Sequence, residues 1–133
     1  MRYEARFLIL SLAWLLSHSP AYAHHSFAAE YDSDKPVQIT GTVTKVEWTN
    51  PHVHFYVDVK NDQGEIVNWN IELGPPLILR HLGWRQDSLK TGDQVTVEGY
   101  PAKDHSSLAN AKKVTLADGR SIFAGSSAEK RSE

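Results

Sequence analysis

The sequence predicts a small, mainly β domain: a five-stranded barrel with one short helix between strands three and four, preceded by a leader that is cleaved. Short segments alternate apolar and polar residues with the period of a half-buried strand. Turn-forming Gly, Asn, Asp and Pro residues separate these segments. The predicted organisation is a signal peptide (1–23), an extended arm (24–36), an OB-like β-barrel domain (37–124) and a disordered tail (125–133).

The amino-terminal segment has the features of a secretory signal. Arg2 and Arg6 precede an apolar run from Phe7 to Leu16, and small residues around Ala21 and Ala23 suit signal peptidase. The apolar run is short for a membrane span, and no later segment approaches one. We therefore expect a periplasmic or secreted protein that is not stably inserted in a membrane after processing.

Composition excludes several kinds of site. The chain has no cysteine, which rules out disulfides, thiolate metal sites and a lipoprotein anchor. Its formal net charge is −2, and removing the leader, with two Arg and one Glu, makes it one unit more negative. Binding to a nucleic-acid backbone depends on Lys and Arg at phosphates, so we expect no nucleic-acid partner.

Strand one is predicted from Val37 to Trp48 as a long, bent strand. The apolar positions change phase between Gly41 and Lys45, which indicates a β-bulge or a sharp bend there. The dipeptide Asn50-Pro51 then predicts a turn.

Strands two and three are predicted as a hairpin, His52–Lys60 and Glu65–Leu73. Asp62-Gln63-Gly64 suits a three-residue loop with Gly64 in the left-handed conformation, and that loop fixes the register. Counting back from the loop predicts three inner pairs and three outer pairs. The inner pairs are Val59–Val67, Val57–Trp69 and Phe55–Ile71, and the outer pairs are Asp58–Asn68, Tyr56–Asn70 and His54–Glu72.

The remaining elements complete a recognisable order. Gly74-Pro75-Pro76 opens a short helix that stops at Gly83. Strand four spans Gln94–Tyr100, strand five spans Leu108–Leu116, and a short piece, 121–124, follows. Three strands, one helix and two strands resemble an oligonucleotide/oligosaccharide-binding barrel. By analogy, the outer face of strands two and three is the expected binding surface.

Histidines on that face are candidate metal ligands. His52 and His54 alternate with apolar residues, so they share one face of the strand about 7 Å apart. Glu72, opposite His54, could complete a metal site or orient a ring from behind. It could equally be an ordinary surface ion pair.

The processed amino terminus offers further ligands. Cleavage after Ala23 would expose the α-amine and ring of His24, followed by His25, as in histidine-brace copper sites. Cleavage after Ala21 would instead put His24 at position three, where it chelates Cu(II) or Ni(II). Either cut predicts a site for a divalent metal such as Cu(II), unless these histidines merely follow the cleavage point in a mobile terminus.

Four stretches resemble a known family: His24–Asp32, Gly41–His52, Val67–Trp69 and Leu89–Tyr100. The chain is similar to the domain-of-unknown-function family 6152 of small exported bacterial proteins. The resemblance implies an exported single domain with no established activity. It makes His24, His25, Asn50 and His52 the residues that match the family's motifs.

An alternative function is a binding module without metal, for a small ligand, a glycan or a periplasmic protein. Its predicted contacts are the aromatic and amide side chains of Trp48, Asn50, Tyr56 and Asn70. The sequence has no nucleophile elbow, phosphate loop or dinucleotide fingerprint, so we do not expect an enzyme.

Overall fold

Six strands and one short helix form the domain, in a computed structural model that describes residues 27–126 and 128. The elements in chain order are β1 (Val37–Glu47), β2 (His54–Lys60), β3 (Ile66–Glu72), α1 (Pro76–His81), β4 (Gln94–Pro101), β5 (Leu108–Thr115) and β6 (Ser121–Phe123).

The strands close into a barrel. Their order is β3-β2-β1-β4-β5-β6, and an additional parallel pairing joins β3 to β5. That pairing brings the two ends of the five-stranded array together, which leaves the three-residue β6 as an appendage on β5. The predicted mainly β, OB-like barrel with a helix between the third and fourth strands is confirmed.

The bend in β1 allows one strand to serve two neighbours. Its first half pairs with β4 and its second half with β2, and the β1–β2 register shifts between Val43 and Lys45. An extra residue in one strand of an antiparallel pair bends and twists it. The predicted bulge is therefore present, and it turns the chain around the barrel wall.

The β2–β3 hairpin has the predicted register throughout. Every pair from Val59–Val67 to His54–Glu72 is present, and Gly64 has a φ of 83°. The alternation follows: Phe55, Val57 and Ile71 have no exposed surface, while the side chains between them face outward.

The core fills the barrel, and α1 covers one end of it. Leu79 of α1 is fully buried, and Trp84 beyond the helix is 2% exposed. The indole N–H of Trp84 donates to the Phe123 carbonyl at 2.7 Å, which satisfies its polar atom inside the core.

Several features differ from prediction. β2 begins at His54, so His52 lies just before the strand. Residues 27–30 form a helical turn instead of an extended arm, and the short piece after strand five is a sixth strand. Ser126, within the predicted tail, is 3% exposed. The predicted signal peptide, His24, His25, residue 127 and residues 129–133 lie outside the described residues.

Candidate functional site

The candidate site lies on the outer face of β2 and β3 and centres on Glu72. The Glu72 side chain is only 14% exposed. The hydroxyl of Tyr31 donates to its Oε2 at 2.5 Å, while the amide of Asn110 donates to its Oε1 at 3.3 Å. His52 Nδ1 lies 3.3 Å from the same Oε1. Both carboxylate oxygens of Glu72 are therefore engaged.

The backbone explains why His52 reaches Glu72 although it precedes β2. Val53 N donates to the Gly74 carbonyl at 3.1 Å, and Leu73 N donates to the Val53 carbonyl at 2.8 Å. These bonds extend the hairpin pairing past the strand ends, so His52 is held beside the end of β3. Glu72 thus contacts His52, although its register partner is His54.

Each histidine ring has an oxygen neighbour at its Nδ1 atom. His52 Nδ1 lies at ion-pair distance from Glu72 Oε1, 3.3 Å. His54 Nδ1 forms a hydrogen bond with Asn70 Oδ1 at 2.8 Å, with the ring nitrogen as donor because an amide oxygen only accepts. In the neutral His54 ring the Nε2 atom then carries the lone pair. A histidine that ligates a metal typically uses its other ring N–H in this manner.

The helical turn of residues 27–30 borders the cluster. Phe27 is 6% exposed and Tyr31 is 2% exposed, and their rings pack at 5.3 Å. Tyr31 forms an antiparallel bridge with Ala102, and Lys103 N donates to the Glu30 carbonyl at 2.8 Å. These contacts fix the chain from Phe27 to Tyr31 against the barrel.

Glu30 adds a second carboxylate at this place. Partial burial raises its pKa, the neighbouring charges of Glu72 and Asp104 raise it further, and the two site histidines oppose that rise. An open groove of about 450 Å³ lies beside Glu30. The cluster is therefore acidic at its edge, open to solvent and close enough to the histidines for their charges to interact.

Tyr31 remains a hydrogen-bond donor at any ordinary pH. Burial raises its pKa first, and its hydrogen bond to Glu72 raises the pKa further. The negative charge of Glu72 thus meets a neutral donor on one oxygen and polar N–H groups on the other.

Of the four residues predicted for a non-metal ligand, Asn70 lies in the cluster and three lie elsewhere. Tyr56 donates to Glu47 at 3.1 Å and has the Lys45 ammonium over its ring at 5.4 Å. Asn50 is exposed beside the turn. Trp48 packs against the core, and its buried indole N–H has no partner among the described residues.

Sequence reasoning missed the roles of Glu30, Tyr31 and Asn110. The Tyr31 side chain is buried against the barrel, and its hydroxyl reaches Glu72. Asn110 reaches the site through the parallel β3–β5 pairing. Contacts between distant segments leave no local signal, although an Asn between two alanines in a strand is a hint.

Two negative observations apply to the described part of the chain. Within residues 27–126 and 128, no group of three or more His, Cys, Asp or Glu side chains is arranged to hold a metal ion. The helices seen there are also too short or too polar to cross a membrane. His24 and His25 fall outside these residues, so the predicted four-histidine set is represented only by His52 and His54.

Comparisons with known proteins place the chain in a family but give it no activity. Two crystal forms of Rim1, the mitochondrial single-stranded DNA-binding protein of S. cerevisiae, are similar in structure. One has a TM-score of 0.49 at 15% identity, covering 62% of this chain and 93% of that chain. The other has a TM-score of 0.48 at 17% identity, covering 62% and 92%. No curated protein matches the sequence. The model of the family of unknown function DUF6152 matches residues 13–110, and the chain belongs to that family.

Proposed function

We propose that this chain is an exported, small β-barrel protein that binds one divalent metal ion, copper, through histidines. The observation that carries the proposal is the 3.3 Å contact between His52 Nδ1 and the mostly buried Glu72 carboxylate. A carboxylate behind a histidine fixes the ring and raises its basicity as a ligand. His54, oriented by Asn70, presents a second ring on the same face.

Two imidazoles do not complete a copper site, so the proposal assigns the other ligands to the processed amino terminus. His24 lies three residues before Phe27, a distance of at most about 11 Å along an extended chain. Phe27 is buried beside Tyr31, and Tyr31 contacts Glu72, so the described chain begins close to the cluster, which supports this assignment. Nitrogen and oxygen ligands of this kind suit Cu(II).

Export is part of the proposal because the α-amine exists only after cleavage. The leader with Arg2, Arg6 and the apolar run supports secretion. A copy that retains residues 1–23 lacks the free amine of His24 and is expected to bind copper more weakly.

Nucleic acid is not proposed as the ligand. The face carries the carboxylates of Glu30, Glu47 and Glu72, which would repel phosphates, whereas nucleic-acid binding depends on basic side chains. The overall charge of the chain is also negative.

The test is titration of correctly processed protein with Cu(II), followed by calorimetry and electron paramagnetic resonance. We expect one ion per chain, affinity tighter than micromolar, and a spectrum with nitrogen ligands. His24→Ala and His52→Ala should each weaken binding at least tenfold, since each removes a ligand. His81→Ala is the matched control because His81 is exposed on α1, outside the cluster. Micromolar or weaker affinity, unchanged by His24→Ala and His52→Ala, would reject the proposal.

One observation favours the alternative, a module for a small organic ligand. The buried indole N–H of Trp48, which has no partner within the described part of the chain, borders a narrow crevice that Trp84 also lines. The crevice has no room for a water-sized group as it stands, so a flat ligand with an acceptor for this N–H would have to part its walls. Benzoate is a suitable probe: a saturable change in tryptophan fluorescence that Trp48→Phe abolishes would support this function, and no change up to millimolar concentration would reject it.

A further inference from the structure

Four of the five large hydrophobic side chains that are exposed among the described residues gather at one end of the barrel. Leu77 and Ile78 of α1 are 63% and 41% exposed, and Leu82, which follows the helix, is 40% exposed. Phe123 of β6 is 54% exposed. Only Ile66 lies elsewhere, at the start of β3.

Contacts between α1 and the segment around β6 bring these four side chains onto one surface. Ile78 and Leu82 are four residues apart and are therefore neighbours on the helix surface. Trp84, just beyond α1, donates its indole N–H to the Phe123 carbonyl at 2.7 Å. Ile78 also lies beside Gly125, two residues after Phe123. The four residues form the α1 patch: Leu77, Ile78, Leu82 and Phe123.

The core of the barrel does not need the α1 patch. The contribution of this end to the core comes from Leu79 and Trp84, which are 0% and 2% exposed. A helix on a protein surface normally carries polar side chains on its outer side. A contiguous exposed apolar surface that is rimmed by polar residues marks an interaction site.

The charges beside the α1 patch are positive. Residues 74–86 contain Arg80 and Arg85 but neither Asp nor Glu, although the whole chain has a formal net charge of −2. Arg85 lies 3.4 Å from Asp87, whereas none of the ion pairs within the described part of the chain involves Arg80. The partner that fits this surface is therefore apolar and anionic.

The surface of an anionic lipid bilayer has both properties. Leu77 and Phe123 are more than half exposed, so they project from the domain and do not line a recess. Projecting apolar side chains can enter the boundary between headgroups and acyl chains without a preformed pocket, while arginines meet the phosphates. A second copy of the chain fits less well, because two α1 patches face to face would bring like charges together.

From this surface we propose that the protein binds reversibly to anionic phospholipid membranes through the α1 patch, with Arg80 and Arg85 at the headgroups. Because α1 has six residues, far fewer than the roughly 20 that cross a bilayer, only its side chains enter the membrane. The site proposed for copper lies on the outer face of β2 and β3, and neither proposal depends on the other.

The test is flotation of the processed, metal-free protein with lipid vesicles. One set of vesicles contains phosphatidylcholine alone, and the other contains equal amounts of phosphatidylcholine and phosphatidylglycerol. We expect the partition coefficient to be roughly tenfold higher on the anionic vesicles, because two cations meet the surface charge. That difference should shrink as salt is added, since salt screens charges at the surface.

Leu77→Ser tests the apolar contribution. It should lower the partition coefficient on anionic vesicles by roughly tenfold, because it removes the most exposed side chain of the α1 patch. Ile66→Ser is the matched control, since Ile66 is 62% exposed against 63% for Leu77. Ile66 begins β3 and α1 follows the other end of that strand, about 20 Å away. Thermal melts would confirm that both variants are folded.

Arg80→Gln tests the charge contribution. It should weaken binding to anionic vesicles by roughly fivefold at physiological ionic strength. Lys60→Gln changes the net charge equally at an exposed residue that ends β2, in the hairpin that contains Ile66. If only overall charge matters, the two variants will be weakened alike, and the assignment of the α1 patch will be wrong.

Three other results would overturn the proposal. The first is no binding to anionic vesicles, and the second is equal binding to both sets. The third is a dimer in sedimentation equilibrium that Leu77→Ser dissociates, which would assign the α1 patch to self-association. None of these measurements uses copper, so a failure here leaves the proposed function standing, and a failure of copper binding leaves this proposal standing.

Discussion

Glu72→Gln tests the polar centre of the site by changing one atom. The carboxylate accepts hydrogen bonds from Tyr31 and Asn110 and lies 3.3 Å from His52 Nδ1, while its side chain is only 14% exposed. A glutamine amide has one acceptor oxygen and one NH₂ donor, so its NH₂ must face a group that donated to the carboxylate. The least costly arrangement points the amide NH₂ at Tyr31, whose hydroxyl can rotate and accept.

The expected loss of unfolding free energy follows from the hydrogen bonds that are weakened. A hydrogen bond to a charged group contributes about 1.5–3 kcal/mol, and the substitution removes the charge from all of them while keeping their geometry. We expect metal-free Glu72→Gln to lose about 2 kcal/mol of unfolding free energy at neutral pH. Tyr31→Phe should lose about 1.5–3 kcal/mol, as it deletes one hydrogen bond to this charged group.

Urea unfolding of the processed, metal-free protein measures this loss as a lower midpoint at an unchanged slope. Glu65→Gln is the control, because Glu65 is exposed in the hairpin loop and accepts from Asn61. It should stay within about 0.5 kcal/mol of the wild type. If Glu72→Gln proved as stable as the control, the cluster would contribute nothing to folding, and the assignment of Glu72 as its centre would be wrong.

Three further predictions concern stability. Glu30→Gln should stabilise the metal-free protein increasingly as pH rises through the raised pKa of Glu30, because ionising this carboxyl costs folding energy. Thermal melts across pH should show the same melting temperature for variant and wild type in acid. A higher melting temperature of the variant in acid alone would contradict the expected direction. Gly41→Ala should lower the free energy of unfolding by about 1–3 kcal/mol, since a Cβ there would overlap the Asp58 carbonyl. An unchanged urea midpoint would show that β1 and β2 can separate at this point without cost. Trp84→Phe should cost about 2–3 kcal/mol by removing the hydrogen bond to the Phe123 carbonyl and leaving a gap; a loss below about 0.5 kcal/mol in urea would argue against that bond.

The hairpin was predictable because its information is local. Gly64 fixes the loop, and period-two alternation from Phe55 to Val59 fixes which side faces the core. A register slip of one residue would expose that whole face, so the sequence strongly selects one pairing. The difference at the start of β2 is of the same local kind: alternation continues through His52 and backbone hydrogen bonds continue at Val53, although β2 itself begins at His54.

The site was only partly predictable, because Glu30, Tyr31 and Asn110 come from segments outside the hairpin. The sequence selected His52, His54, Asn70 and Glu72 from one hairpin. The predicted pairing of His54 with Glu72 is the register that β2 and β3 have. The Glu72 side chain nevertheless contacts His52, because register gives backbone neighbours, whereas side-chain length and the cross-strand diagonal decide which atoms meet.

The sequence by itself determined the class of fold, the bulge in β1, the hairpin register and the outward face that carries the histidines. Each depends on alternation or turn chemistry within about a dozen residues. Only the tertiary structure decided that residues 27–31 fold onto the barrel and that Tyr31 and Asn110 enclose Glu72. These contacts join residues about 40 positions apart, and barrel closure through β3 and β5 brings Asn110 to Glu72. A pairing of distant strands depends on the whole folded chain, so no local pattern could specify it.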